Sequence, residues 1–122
     1  MASIEVARGS KLGTGGLTAG VARERAFESP GATVSRSTVS AGVVSAWHHH
    51  AARDLFGYVV SGRLRLEFGK DGKESVEVAA GDFIHIPPGL VHRDVNPDPR
   101  EKVVIVNVSV GEGPSVVNVE SP

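Results

Sequence analysis

The side chains best suited to chemistry in this chain are its five histidines, all of which fall between positions 48 and 92. Three are consecutive, His48, His49 and His50; His85 and His92 follow. If Ala46 to His50 is extended, His48 and His50 project to one face and His49 to the other. Two imidazoles at this spacing can share one metal ion, and imidazole suits iron, zinc, copper and nickel. The run is internal, so it is not an affinity tag. The competing reading is a polar strand end with solvated rings, an ambiguity every short histidine motif carries. Cysteine is absent, which excludes disulfides, thiolate catalysis and thiolate ligation. A metal here must be held by nitrogen and oxygen.

The elements that must position these rings read as strands. The 122 residues suffice for one domain. Valine outnumbers leucine 20 to 6, and β-branched side chains suit pleated surfaces. Strands are expected at Ala32 to Ser40, Leu55 to Ser61, Arg63 to Phe68, Ser75 to Ala79, Asp82 to Ile86 and Lys102 to Val110, with a short one at Val116 to Val119. Arg63 to Phe68 alternates, with Leu64, Leu66 and Phe68 on one face. Asp71-Gly72 marks a hairpin turn. Lys102 to Val110 is expected to be central and buried. No segment carries a convincing helical period. Short, regularly spaced strands predict an all-β antiparallel sandwich or barrel. Residues 1–30, weakly patterned, are expected to form an arm or edge strand ahead of a barrel at 31–122.

Two blocks of sequence are more specific. The first is G-V-V-S-A-W-H-H-H-A-A-R-D-L-F-G-Y-V-V-S-G, from Gly42 to Gly62. The second is G-D-F-I-H-I-P-P-G-L-V-H-R-D-V-N, from Gly81 to Asn96. They resemble the first and second cupin motifs, and every defining position of the second fits. The resemblance implies a conical antiparallel jelly-roll barrel holding one divalent metal. Cupins typically ligate it with two His and a Glu of the first motif and one His of the second. Carried over, the ligands are His48, His50, Asp54 and His92. Iron is the favoured ion, with manganese, nickel and zinc as alternatives.

One departure bears on that ligand set. The acidic position holds Asp54, separated from Gly62 by seven residues where the usual pattern has six, and Leu55 occupies the other register. Asp is shorter than Glu by one methylene, about 1.5 Å, while metal–ligand distances tolerate about 0.2 Å. Either the backbone moves inward, or a water bridges, or the site is three-histidine with open positions. The alternative role for Asp54 is a rim carboxylate paired with Arg53. Phe56 and Tyr58 share strand parity with Asp54 and are expected either to line the pocket or to serve as core aromatics. His85 reads as second to the site or partly exposed. Trp47 and His49 are expected on the opposite face. Arg36 reads as solvent-exposed or as an anion-binding side chain. Gly81, Pro87, Gly89 and Asn96 read as structural.

The resulting expectation is a metal-dependent enzyme acting on a small organic molecule, with oxidation by O2 at Fe(II) as the leading chemistry. An O2-independent isomerase, lyase or cyclase and a non-catalytic binding module are the alternatives. A formal net charge of −1 lacks the basic surplus of nucleic-acid binding. No apolar run approaches the length of a membrane span, and the N-terminal residues show no signal-peptide pattern. The chain is therefore expected to be cytoplasmic, to take a small-molecule partner and, by the resemblance, to form a homodimer.

Overall fold

The computed structural model describes residues 2–122. Eleven strands run in chain order: β1 (Gly13–Thr14), β2 (Ala22–Ser29), β3 (Ala32–Val39), β4 (His48–His49), β5 (Asp54–Ser61), β6 (Arg63–Phe68), β7 (Glu74–Ala79), β8 (Phe83–Ile86), β9 (His92–Val95), β10 (Val103–Val110) and β11 (Val117–Asn118). The one helical element among the described residues is a 3-10 turn at Lys70–Gly72, at the tip of the β6–β7 hairpin. Asp71 and Gly72 take positive φ there, as an Asp-Gly hairpin requires.

The strands form two antiparallel sheets, ordered β1-β2-β3-β10-β5-β8 and β11-β4-β9-β6-β7. Their inner faces meet in one core of Val21, Val39, Val59, Leu64, Leu66, Val103 and Ile105, which is the architecture of a jelly roll. As its long Val-rich run predicts, β10 is interior, paired with β3 and β5 along its length. The segment before Pro30 does not stand apart from the sheet. β2 pairs with β3 from Ala22 to Ser29, and β1 covers part of its outer edge.

The inside of the barrel is graded in polarity. Every second residue of a strand faces inward, and on β10 these are Val103, Ile105, Asn107 and Ser109, all buried. On β3 the inward series runs Val39, Ser37 and on to Ser35 and Thr33, register partners of Val103, Ile105, Asn107 and Ser109. Each strand thus supplies apolar side chains to one end of the barrel and polar ones to the other. Hydrophobic burial at roughly 25 cal/mol per Å² secures the apolar end. The polar end is free to hold chemistry.

Turn residues hold the strand ends. Asn96 is 1% exposed; its amide donates to the carbonyls of Val39 (3.0 Å) and Glu101 (2.8 Å), and its side-chain oxygen accepts from the Asp98 N–H. Gly62 sits between β5 and β6 with φ of 81°, where a Cβ would lie 2.5 Å from the Lys102 carbonyl oxygen. Gly81 also has positive φ, yet a Cβ there would meet nothing within 4 Å. Gly62→Ala is therefore expected to destabilise the fold by about 2–3 kcal/mol, from backbone strain and collision together. Gly81→Ala should cost only about 1 kcal/mol, from strain alone. Urea denaturation of the two variants checks the ordering.

Candidate metal centre

Three of the five histidines converge at the polar end of the barrel. His48 pairs with His92 across β4 and β9, and His50 follows His48 at i+2 on the same face. The rings are buried, at 1% (His48), 4% (His50) and 2% (His92) exposure. Ring centroids are 4.3 Å apart for His48 and His92, 5.1 Å for His50 and His92, and 5.5 Å for His48 and His50. One ring nitrogen from each lies within 4.8 Å of the others.

Main-chain carbonyls fix how the rings point. Nδ1 of His48 bonds the Ala46 carbonyl at 2.9 Å, Nδ1 of His50 the Ser115 carbonyl at 2.9 Å, and Nδ1 of His92 the Leu90 carbonyl at 3.0 Å. A carbonyl oxygen only accepts, so each Nδ1 must carry the proton, and each Nε2 is left with its lone pair. This is how a protein orients imidazole ligands for a cation. The rings are also held neutral. Burial first, then the neighbouring His92, pushes His48 down to about 3. Burial brings His50 to about 3 as well, against the opposing bond to Ser115. Burial likewise lowers His92. Neutral imidazoles with inward lone pairs are the form that binds a divalent ion, so the donor set fits a metal such as iron, zinc, manganese or nickel.

The turn chemistry explains the delivery. Pro87-Pro88-Gly89 ends β8, Gly89 takes φ of 74° and its N–H bonds the Ala51 carbonyl. The chain re-enters at β9 with His92 opposite His48. Arg53, buried, donates to the Gly113 carbonyl from both Nε and Nη2. That bond ties down the loop whose Ser115 carbonyl orients His50.

Asp54 does not join the three rings. It begins β5, where Leu55, Gly57 and Val59 face inward and Asp54, Phe56 and Tyr58 face outward. A one-residue offset moves a side chain to the other face of a strand, so Leu55 occupies the inward position that the cupin pattern gives to Glu. The Asp54 carboxylate instead accepts from His85 Nε2 at 2.8 Å. The rim pairing with Arg53 is absent too, since that guanidinium bonds Thr33, Ser109 and Gly113. Phe56 and Tyr58 do share parity with Asp54, but on the outer surface, 47% and 40% exposed. Phe56 stacks on His85 and Tyr58 packs against Phe83. They line neither the metal pocket nor the core. Trp47 packs beneath the Arg93 guanidinium, 4.4 Å from its ring centre, and Arg36 bonds Glu24 and the Gly9 carbonyl.

Two cavities border the site and share Arg23, His50, Leu55 and Asn107 as lining residues. The inner one, about 30 Å³, is lined by the three histidines with Arg23, Asp94 and Asn107. The outer one, about 240 Å³, reaches His50 and Leu55 past Arg23, Ser35 and Ser109. Neither Arg23 nor Asp94 stands out in the sequence as a site residue. Asp94 sits two residues after His92 and so shares its face, a signal that spacing carries. Arg23 lies in the weakly patterned N-terminal stretch, where no period sets a register.

A two-sheet barrel with a buried three-histidine cluster at its polar end defines a class, and the comparisons with known proteins agree. The family model described as Cupin domain matches residues 35–109, more than half of the chain. The chain belongs to the cupin family. The polyketide cyclase RemF from Streptomyces resistomycificus superposes with a TM-score of 0.77 at 19% identity, covering 96% of this chain and 86% of that one. An uncharacterized conserved protein with a double-stranded beta-helix domain from Klebsiella pneumoniae superposes at 0.71, with 24% identity and coverage of 82% and 84%. KdgF from Halomonas sp. gives 0.68 at 23% identity, covering 90% and 96%. These likenesses show the fold. A search of curated protein sequences finds no match. No helix among the described residues is long and apolar enough to cross a membrane.

The geometry makes opposite predictions for neighbouring residues. Asp54→Ala should leave metal affinity unchanged, because its carboxylate lies outside the barrel. Leu55→Glu places a carboxylate on the inward face and should tighten divalent-metal binding by about tenfold or more. Competitive titration of each variant against a chromophoric chelator measures both.

Proposed function

We propose that this cupin is a metal-dependent enzyme acting on a small organic molecule, with His48, His50 and His92 as the protein ligands. The observation that carries the reading is the set of three Nδ1–carbonyl bonds, which leaves three neutral lone pairs facing one small cavity. Three protein ligands leave coordination positions open. A divalent ion bound there would supply Lewis acidity or a template for O2 and substrate. The chain's own part is to hold the rings neutral and oriented, to admit a small molecule through the outer cavity, and to limit water at the inner one.

The favoured chemistry is oxidation of the substrate by O2 with iron bound, because an all-nitrogen neutral ligand set with open positions accommodates both reactants. A second reading is favoured by Asp94. Asp94 is buried, at 8% exposure, and lines the inner cavity with His92, where its carboxylate could take a proton from a bound substrate. That suits an isomerase, lyase or cyclase without O2. The polyketide cyclase among the fold neighbours is compatible with it.

Iron-loaded protein is expected to consume O2 in step with loss of substrate from a panel of phenols, diketones and thiols. His92→Ala should reduce uptake to background. An oxygen electrode and product chromatography read both. No uptake with any compound overturns the oxidase reading, and turnover under strict anaerobiosis supports the Asp94 reading. A ligand that stabilises the protein and is recovered unchanged points to a binding module.

The proposal includes a homodimer. Phe56, Tyr58, Val60, Phe83, Val106 and Val110 are all exposed on the outer face of the first sheet, Phe83 at 80%, and an isologous pairing would cover this apolar band on both copies. Light scattering should give twice the monomer mass, and Phe83→Glu should shift it toward monomer.

A further inference from the structure

Among the described residues, Arg23 is the only Lys or Arg that borders the inner cavity, and it borders the outer one as well. Its position follows from register. β2 pairs Arg23 with Ser37 of β3, and Ser37 pairs with Ile105 of β10, so the guanidinium lies where the inner wall changes from apolar to polar. One nitrogen, Nη1, anchors it, donating to the Thr18 hydroxyl at 2.7 Å and the Gly16 carbonyl at 3.2 Å. Thr18 is held in turn by Asn118. Among the described residues, Nε and Nη2 have no hydrogen-bond partner, and no carboxylate forms an ion pair with the group. A guanidinium carries five N–H donors in a rigid fork. Here one edge is fastened and the rest is unspent.

The charge balance of the cavity points the same way. The three histidines are neutral. The inward position where the cupin pattern carries Glu holds Leu55, so no ligand carboxylate offsets a bound cation. Arg23 is the one basic side chain and Asp94 the one acidic side chain among the residues lining this cavity. A divalent ion on the three rings would stand close to the Arg23 guanidinium in a poorly solvated space, an excess of positive charge that an entering anion would offset. This excess rests on the metal reading above; the unspent fork of Arg23 does not.

We propose that Arg23 is the specificity-determining residue of this site and seats the carboxylate of a small organic acid beside the three histidines. The inner cavity, about 30 Å³, has room for only a water or two, so the acid's body lies in the outer cavity, about 240 Å³. Its carboxylate meets the Nε and Nη2 donors of Arg23, a geometry guanidinium favours over ammonium. Hydroxyls of Ser35, Thr33 and Ser109 line the outer cavity and offer hydrogen bonds to polar groups of the body.

The test uses acetate, pyruvate and benzoate, each against its uncharged amide, with metal-free and zinc-loaded protein. Binding is read from the rise in unfolding temperature and by titration calorimetry, and zinc content is measured in parallel. Wild type should prefer each carboxylate that binds over its amide by tenfold or more. Arg23→Gln should lose that preference while keeping its zinc, and Arg23→Lys should retain part of it; if the Gln variant does not fold, the Lys variant carries the test. Equal binding of acids and amides, an undiminished preference in Arg23→Gln, or no carboxylate bound at millimolar concentration would overturn the proposal. Zinc bound without any carboxylate preference sinks this inference alone. An Arg23-dependent preference in protein that takes up no metal sinks the metal reading alone.

Discussion

Three hydrogen bonds from imidazole Nδ1 to main-chain carbonyls are the constraint on which this site depends. Burying three unprotonated rings in contact is unfavourable unless each ring's N–H finds an acceptor. The acceptors come from three separate places: Ala46 just before β4, Leu90 in the turn before β9, and Ser115 in the loop before β11. The loops must therefore be as well placed as the strands. Arg53 serves this end at some expense, since it is a buried guanidinium with no carboxylate partner among the described residues. Its donors go to Gly113, Thr33 and Ser109, which makes it a clamp on the loop that orients His50.

The polarity gradient inside the barrel follows from the same economy. Valine and isoleucine fill the end where nothing but packing is required. Serine, threonine and asparagine take over, strand by strand and in register, where the cavity opens to the histidines. Asn107 links the two regimes, donating to Ser37 at 2.9 Å, and Gly57 leaves room for it, since a Cβ there would lie 3.1 Å from the Asn107 side-chain oxygen. A barrel apolar throughout would bury more hydrophobic surface and hold no ligand.

Much of this was legible in the sequence, for reasons that can be named. Period-2 alternation located β6, and an unbroken Val-rich run marked β10 as interior. The i, i+2 spacing of His48 and His50, with the Pro-Pro-Gly turn before His92, pointed to one shared face. The same rule does not decide β5. Asp54, Phe56 and Tyr58 do share a face, but alternation cannot say whether it is inside or outside, and there chemistry favours Asp54 while register favours Leu55. The spacing to Gly62 held the answer, because Leu55 stands at the interval the pattern requires. Arg23 was out of reach, since its neighbours give no period and its place depends on pairing with β3.

The central claim is that His48, His50 and His92 hold one divalent ion. The most direct measurement is metal content per chain, by elemental mass spectrometry on untagged protein, beside single alanine variants of the three. Near-stoichiometric metal in the wild type, lost from each variant while the far-ultraviolet circular dichroism stays that of a β-barrel, is the predicted result. A wild type that retains no iron, manganese, nickel or zinc even after reloading would contradict the claim.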